Sequence, residues 1–172
     1  LYLLITAGSV YIKSLQAPAR EVLGDLVSMC AGVQHPQRGL FLRAYLAQVM
    51  KDKLPDVGNP YGGDSIALIP GGTEATDKYN GGVRDSVEFI LRNFTEMNRL
   101  WVRMQQDCTT PRDIPRCEKE RLELRLLVGS NISTLARLAG VDLAMYKSVV
   151  LPAVLDQIVS CHDAIAQEYL AA

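Results

Sequence analysis

The sequence predicts an all-α fold of about six to seven helices, paired antiparallel and stacked as an open α-solenoid. Three observations carry this. Apolar residues recur at spacings of three and four along almost the whole chain, and no segment sustains the alternation of a strand. The turns predicted at 14–18, 33–37 and 140–142 are short, which places consecutive helices side by side and antiparallel. A closed bundle fits those turns too. Helices apolar over a wide face, without capping at the two ends of the chain, favour stacked pairs in which each unit touches only its neighbours. No internal sequence repeat reinforces the preference.

The first helix covers residues 1–14. The second starts at Pro18, whose missing N–H costs nothing at a first helical position. Val22, Leu23, Leu26, Val27 and Cys30 form its buried stripe, and Gly32 is its expected stop. Pro36 opens the third helix, which runs through Leu42, Tyr45, Leu46 and Val49 to a stop at Pro55. Residues 58–82 then hold seven of the chain's 13 glycines, so residues 55–82 read as a flexible inserted loop. Its glycine pairs lack the G-K-[ST] of a phosphate loop and follow no strand. The fourth helix, residues 83–106, carries the clearest stripe: Val87, Ile90, Phe94, Met97, Trp101 and Met104. Glu88, Arg92, Glu96, Arg99 and Arg103 mark its solvated face.

A loop with Pro111 and Pro115 leads to the fifth helix, residues 116–139, with Gly140 as its stop. Its opening run, residues 116–121, mixes charges and reads as exposed. Leu124, Leu127, Val128, Ile132, Leu135 and Leu138 form the buried side. Asp142 caps the sixth helix, with Tyr146, Val149, Val150, Val154, Leu155 and Ile158 expected inward and a kink or restart at Pro152. Asp163 caps a last helix over residues 164–172. The whole of residues 1–172 reads as one partial domain cut at both ends, which predicts exposed apolar surface on the terminal helices and a tendency to aggregate.

Composition narrows function by exclusion. With 18 basic and 19 acidic residues the formal charge is −1, so no whole-chain field draws nucleic acid or an anionic membrane. The apolar opening run ends at Lys13, short of the ~20 residues that span a bilayer. It also lacks the basic flank and cleavage site of a signal peptide. Cys30, Cys108, Cys117 and Cys161 have no zinc-site spacing and read as reduced thiols, although Cys108 and Cys117 flank one loop and could pair in an oxidising compartment. The sequons at Asn93 and Asn131 lie inside predicted helices and read as chance matches.

No catalytic residue, cofactor or metal site is expected. His35 and His162 both sit at helix junctions, where capping or packing accounts for them, and no G-x-S-x-G nucleophile motif is present. A self-contained helical enzyme with carboxylates converging from distant helices is the alternative reading, and a generic helical adaptor is another. Arg38 and Arg43 bracket the start of the third helix. They could grip an acidic partner surface by bidentate pairing or bridge neighbouring helices, and the bridging reading is slightly ahead.

Four segments are familiar as words. Leu1-Tyr2-Leu3-Leu4-Ile5 followed by Gly8-Ser9-Val10-Tyr11-Ile12-Lys13-Ser14, the run from Met29 to Arg43, the run from Asn93 to Gln105, and Ala166-Gln167-Glu168-Tyr169-Leu170 resemble, in order, the family of the large solenoid subunit of retromer, vacuolar protein sorting-associated protein 35. The resemblance covers the chain except residues 58–82 and about 107–117. It implies a piece of the N-terminal half of a long HEAT-like α-solenoid. Such a protein is a non-enzymatic, cytoplasmic scaffold, peripheral on endosomal membranes, that serves retrograde transport of transmembrane cargo to the Golgi or plasma membrane.

The resemblance also implies partners. The arrestin-like subunit, vacuolar protein sorting 26, binds the family's Pro-Arg-Leu-Tyr-Leu-Leu signature, of which this chain holds Leu1, Tyr2, Leu3 and Leu4. The metallophosphoesterase-like subunit, vacuolar protein sorting 29, binds the C-terminal half of the family's chain. Sorting nexins and a small GTPase are the recruiters it suggests; no nucleic acid is expected. The competing account of Leu1 to Leu4 is plain helix core uncovered by truncation. The expected partner-binding residues are therefore Leu1, Tyr2, Leu3, Leu4, Arg38 and Arg43.

Overall fold

The computed structural model describes residues 1–62, 81–104 and 111–171. Among these residues it is all helix, with no strand. Helix α1 spans Tyr2–Lys13, α2 Ala19–Cys30, α3 Pro36–Met50 and α4 Val83–Arg103. Helix α5 spans Ile114–Ile132 and tightens into a 3-10 turn over Ser133–Arg137. Helix α6, Leu143–Ser160, has a π-helical middle at Tyr146–Val150, and α7 spans Ala164–Ala171. Each helix makes its main contacts with its first and second neighbours in sequence, α1 with α2 and α3, α2 with α4, α3 with α5, α4 with α6, α5 with α7. That is the contact pattern of a solenoid, in which a new helix rests on the previous pair.

The local signals act largely as expected. Pro18 is the N-cap of α2 and Pro36 the first residue of α3. The His35 side chain accepts from the Arg38 backbone N–H at 3.4 Å, so it is a cap. Asp142 accepts from the Met145 N–H at 2.7 Å, and Asp163 from the Ala166 N–H at 2.8 Å. Pro152 cannot complete the bond to the carbonyl four residues back, and its ring crowds that carbonyl; the wide π turn just before it is where the strain is relieved. The predicted break is thus a π turn and restart within one helix. Gly32 and Gly140 do not adopt the left-handed backbone expected of helix stops. Gly140 is needed for another reason: a Cβ there would stand 2.3 Å from Val83 and 2.7 Å from Val57.

Packing confirms the α4 stripe, whose six residues are all buried, while Arg92, Arg99 and Arg103 stay exposed. Two apolar clusters result. One joins α1, α2 and α3 to the first half of α4; the other gathers Leu40, Phe94, Met97, Trp101, Met104, Val128 and Ala166. Two expectations need correction. Arg121 does not lie on an exposed face: it is 1% exposed and bonds Asp163 Oδ1 at 2.5 Å, tying α5 to the start of α7. On α6 only Val150 is buried, whereas Tyr146 and Leu155 face outward, because no described element covers that flank. Leu1 to Leu4 supply the predicted apolar surface at the first helix. At the other end Leu143, Leu155 and Val159 are exposed on α6 and not on the last helix, whose Ile165, Tyr169 and Leu170 are half-buried.

Residues 63–80 of the predicted inserted loop lie outside the described residues. Its first residues are built into the fold. Asp56 accepts from the backbone N–H groups of Ala139 (2.8 Å) and Gly140 (2.9 Å), clamping the exit of α3 to the turn after α5. Asn59 Oδ1 accepts from the N–H groups of Asp56, Tyr61 and Gly62 and its amide donates to Leu54 O.

The cysteine expectation also changes in part. Cys30 and Cys161 are free, but Cys117 is disulfide-bonded, so the four thiols are not all reduced; Cys108 lies outside the described residues. Burial between α2 and its neighbours pushes the Cys30 thiol above its ordinary value of 9.0, outweighing the attraction of nearby Arg43. A maleimide added to the native chain at pH 7 is expected to label Cys161 and leave Cys30 untouched until denaturant is added, read by mass spectrometry of peptides. The sign on stability follows. What the protonated thiol contributes is present below its ordinary value, and is lost as pH climbs past it, because the unfolded thiol ionises first.

Candidate partner-binding surface

The predicted residues divide into three groups. Leu1, Tyr2, Leu3 and Leu4 open α1 and form one exposed apolar edge, with Leu3 85% exposed. Ile5, directly after them, is fully buried, so the helix turns its core face inward there and the preceding leucines project past it. The edge is not loose. Tyr2 meets Tyr45 of α3 edge to face with ring centroids 5.1 Å apart, and the Thr6 and Tyr45 hydroxyls bond at 2.8 Å.

Arg38 is exposed on the first turn of α3. Helical spacing puts Arg38, Phe41, Tyr45 and Gln48 on one face, the face that Tyr2 packs against. Phe41 is 44% exposed although Leu40 and Leu42 beside it are buried. The surface therefore continues from α1 along α3, through residues that the sequence reading did not select. Their signal was present: an aromatic pair four apart, flanked by a basic residue three before.

Arg43 is on the opposite side of α3 and is corrected. It is 2% exposed, and its guanidinium donates to Asn93 Oδ1 at 3.2 Å. The Asn93 amide donates back to Arg43 O at 3.2 Å and to Asn131 Oδ1 at 3.5 Å, and Asn131 donates to Ile90 O at 3.3 Å. Burial lowers the Arg43 pKa from its ordinary value, because water no longer solvates the cation. Arg43 thus bridges α3, α4 and α5 from within and presents nothing to a partner. The same network places both sequon asparagines, Asn93 and Asn131, inside the protein, where no glycan fits.

His35 caps α3, and His162 occupies a left-handed backbone position (φ 46°) between α6 and α7. Among the described residues no group of three or more His, Cys, Asp or Glu could hold a metal ion.

Comparison with known proteins places the chain in a family. The family model described as vacuolar protein sorting-associated protein 35 matches residues 1–172. The chain belongs to the vacuolar protein sorting-associated protein 35 family. Vacuolar protein sorting-associated protein 35A of Arabidopsis thaliana is 58% identical over 170 residues, covering 99% of this chain and 20% of the relative. The protein of the same family from Dictyostelium discoideum is also 58% identical, over 99% of this chain and 20% of its own length. That of Schizosaccharomyces pombe is 44% identical over 99% of this chain and 18% of its own length. The chain therefore spans about one fifth of the curated relatives it matches. Membership in a vacuolar protein sorting family agrees with an all-helical stack that offers edges and grooves.

Proposed function

We propose that this chain forms part of a non-enzymatic scaffold subunit of the retromer coat. The scaffold serves endosome-to-Golgi and endosome-to-plasma-membrane retrieval of transmembrane cargo. It works in the cytoplasm, peripherally on endosomal membranes, and reaches them by recruitment through sorting nexins or a small GTPase. The arrestin-like subunit, vacuolar protein sorting 26, docks on the edge formed by Leu1, Tyr2, Leu3 and Leu4, with Arg38 beside it. The metallophosphoesterase-like subunit, vacuolar protein sorting 29, is bound by the C-terminal half of the longer protein. What supports this reading is one observation: four consecutive apolar residues on α1 project from the fold while the neighbouring Ile5 is fully buried. Burying a row of leucines against a partner returns ~25 cal/mol for each Å² removed from water, which makes such an edge a natural contact.

The test is capture of purified arrestin-like subunit by this chain extended upstream to include the family's Pro-Arg pair. Binding is expected, and Leu3→Asp is expected to weaken it about 100-fold, since an interface anchor of this kind contributes ~2–3 kcal/mol. Leu3 is 85% exposed, so its replacement leaves the fold intact. Equal capture by the Leu3→Asp chain would show that the edge is not the contact.

A further inference from the structure

A groove of about 650 Å³ runs beside that edge, between α1, α3 and the end of α5. Tyr2, Phe41 and Tyr45 line one wall, Leu127 stands opposite, and Lys51 and Arg137 are its two charged residues. Its lining contains no Asp or Glu, and neither cation forms an ion pair with a described residue. By contrast, the groove between α2 and α4 is lined by Asp85 and Glu88 as well as Arg20 and Arg92. The hydroxyls of Ser130 and Ser133 also face it. Each donates to a carbonyl of its own helix, Leu127 O and Ser130 O, which leaves its oxygen lone pairs to accept from a visitor.

We infer that this groove is a docking site for an acidic peptide segment of a partner protein that carries an apolar or aromatic side chain. Charge complementarity decides the occupant. Two cations in a lining without Asp or Glu, neither paired with a described residue, favour carboxylates, while the aromatic wall and Leu127 accept one apolar anchor between them. The hydroxyls take up backbone N–H groups of an extended strand. Two cations are too few for a nucleic-acid backbone, whose binding rests on neutralising many phosphates. The groove shares Tyr2 with the Leu1 to Leu4 contact, but Leu1, Leu3 and Leu4 do not line it, so Leu3 can be changed without altering its walls.

A fluorescein-labelled, capped ten-residue peptide with three glutamates around an isoleucine and a phenylalanine serves as the probe, titrated with the chain and followed by anisotropy. Binding is expected to be at least about tenfold tighter than that of a counterpart with lysines for glutamates, and to weaken with added NaCl. Arg137→Glu and Phe41→Ala are each expected to weaken it about tenfold, whereas Arg103→Glu, at an exposed residue that does not line the groove, leaves it unchanged. Arg137 and Phe41 are both exposed, and unchanged circular dichroism of each variant verifies the fold. Leu3→Asp is expected to leave peptide binding intact, so failure of the groove and failure of the α1 edge are told apart. The inference is overturned if the lysine peptide binds as tightly or if Arg137→Glu has no effect. It is equally overturned if sedimentation shows a dimer that Phe41→Ala dissociates, since a second copy then fills the groove.

Discussion

Asp163→Asn is expected to destabilise the chain by about 3–5 kcal/mol, although asparagine caps a helix as well as aspartate does. The substitution keeps an acceptor for the Ala166 N–H and removes only the charge. What it leaves behind is Arg121, 1% exposed, with Nε and Nη1 already lacking partners. The guanidinium is then offset only by the face of Trp101, 5.7 Å away. Arg121→Met alone strands the carboxylate instead. The double variant, Arg121→Met with Asp163→Asn, removes both charges and is expected to recover most of the loss, because an apolar replacement of a buried ion pair is often neutral. Urea midpoints of the four proteins close the cycle, and a coupling energy near zero would mean that the pair holds nothing together.

Trp101→Ala is the second large loss, about 3–5 kcal/mol by the usual cost of emptying an aromatic site in a core. Trp101 is fully buried in α4, its indole N–H donates to Arg121 O at 2.9 Å, and its ring meets Tyr169 of α7 edge to face at 5.9 Å. One side chain therefore joins α4, α5 and α7. Trp101→Phe retains most of the packing and removes only the indole bond to the Arg121 carbonyl, which keeps its place in the helix ladder of α5, so a smaller loss of ~0.5–1.5 kcal/mol is expected. Thermal melts followed at 222 nm rank the three proteins, and an alanine variant that melts with the wild type would show that this junction does not carry the second cluster.

Both predictions fall on residues that the sequence only half disclosed. Trp101 was legible as core because it continues a stripe from Val87 to Met104, and the stripe is a property of spacing alone. Asp163 was legible as a cap, since a short acceptor before an apolar run has few other uses there. Its second bond, to Arg121, was not legible: Arg121 stands in a run of mixed charges that resembles any solvated helix face. For Arg43 the sequence offered both a partner contact and a bridge between helices, with the bridge slightly ahead. An arginine in a helix-entry turn looks available, and only the arrival of Asn93 and Asn131 from two other helices explains its burial. The α6 stripe erred in the opposite direction, because a correct period says which residues share a face without saying that anything covers it.

What the amino-acid order determined by itself is therefore what depends on near neighbours in the chain: helix identity, the caps at His35, Asp142 and Asp163, the interruption at Pro152, and the words that mark the family. What only the tertiary structure decided is which faces meet. The Arg43–Asn93–Asn131 network, the Arg121–Asp163 pair and the aromatic, cationic groove between α1, α3 and α5 each join residues at least 38 positions apart, farther than any spacing rule reaches. The reason is physical. Backbone hydrogen bonds and rotamer preferences act within a turn or two, whereas burial and charge pairing are set by whichever surface the next helix brings into contact.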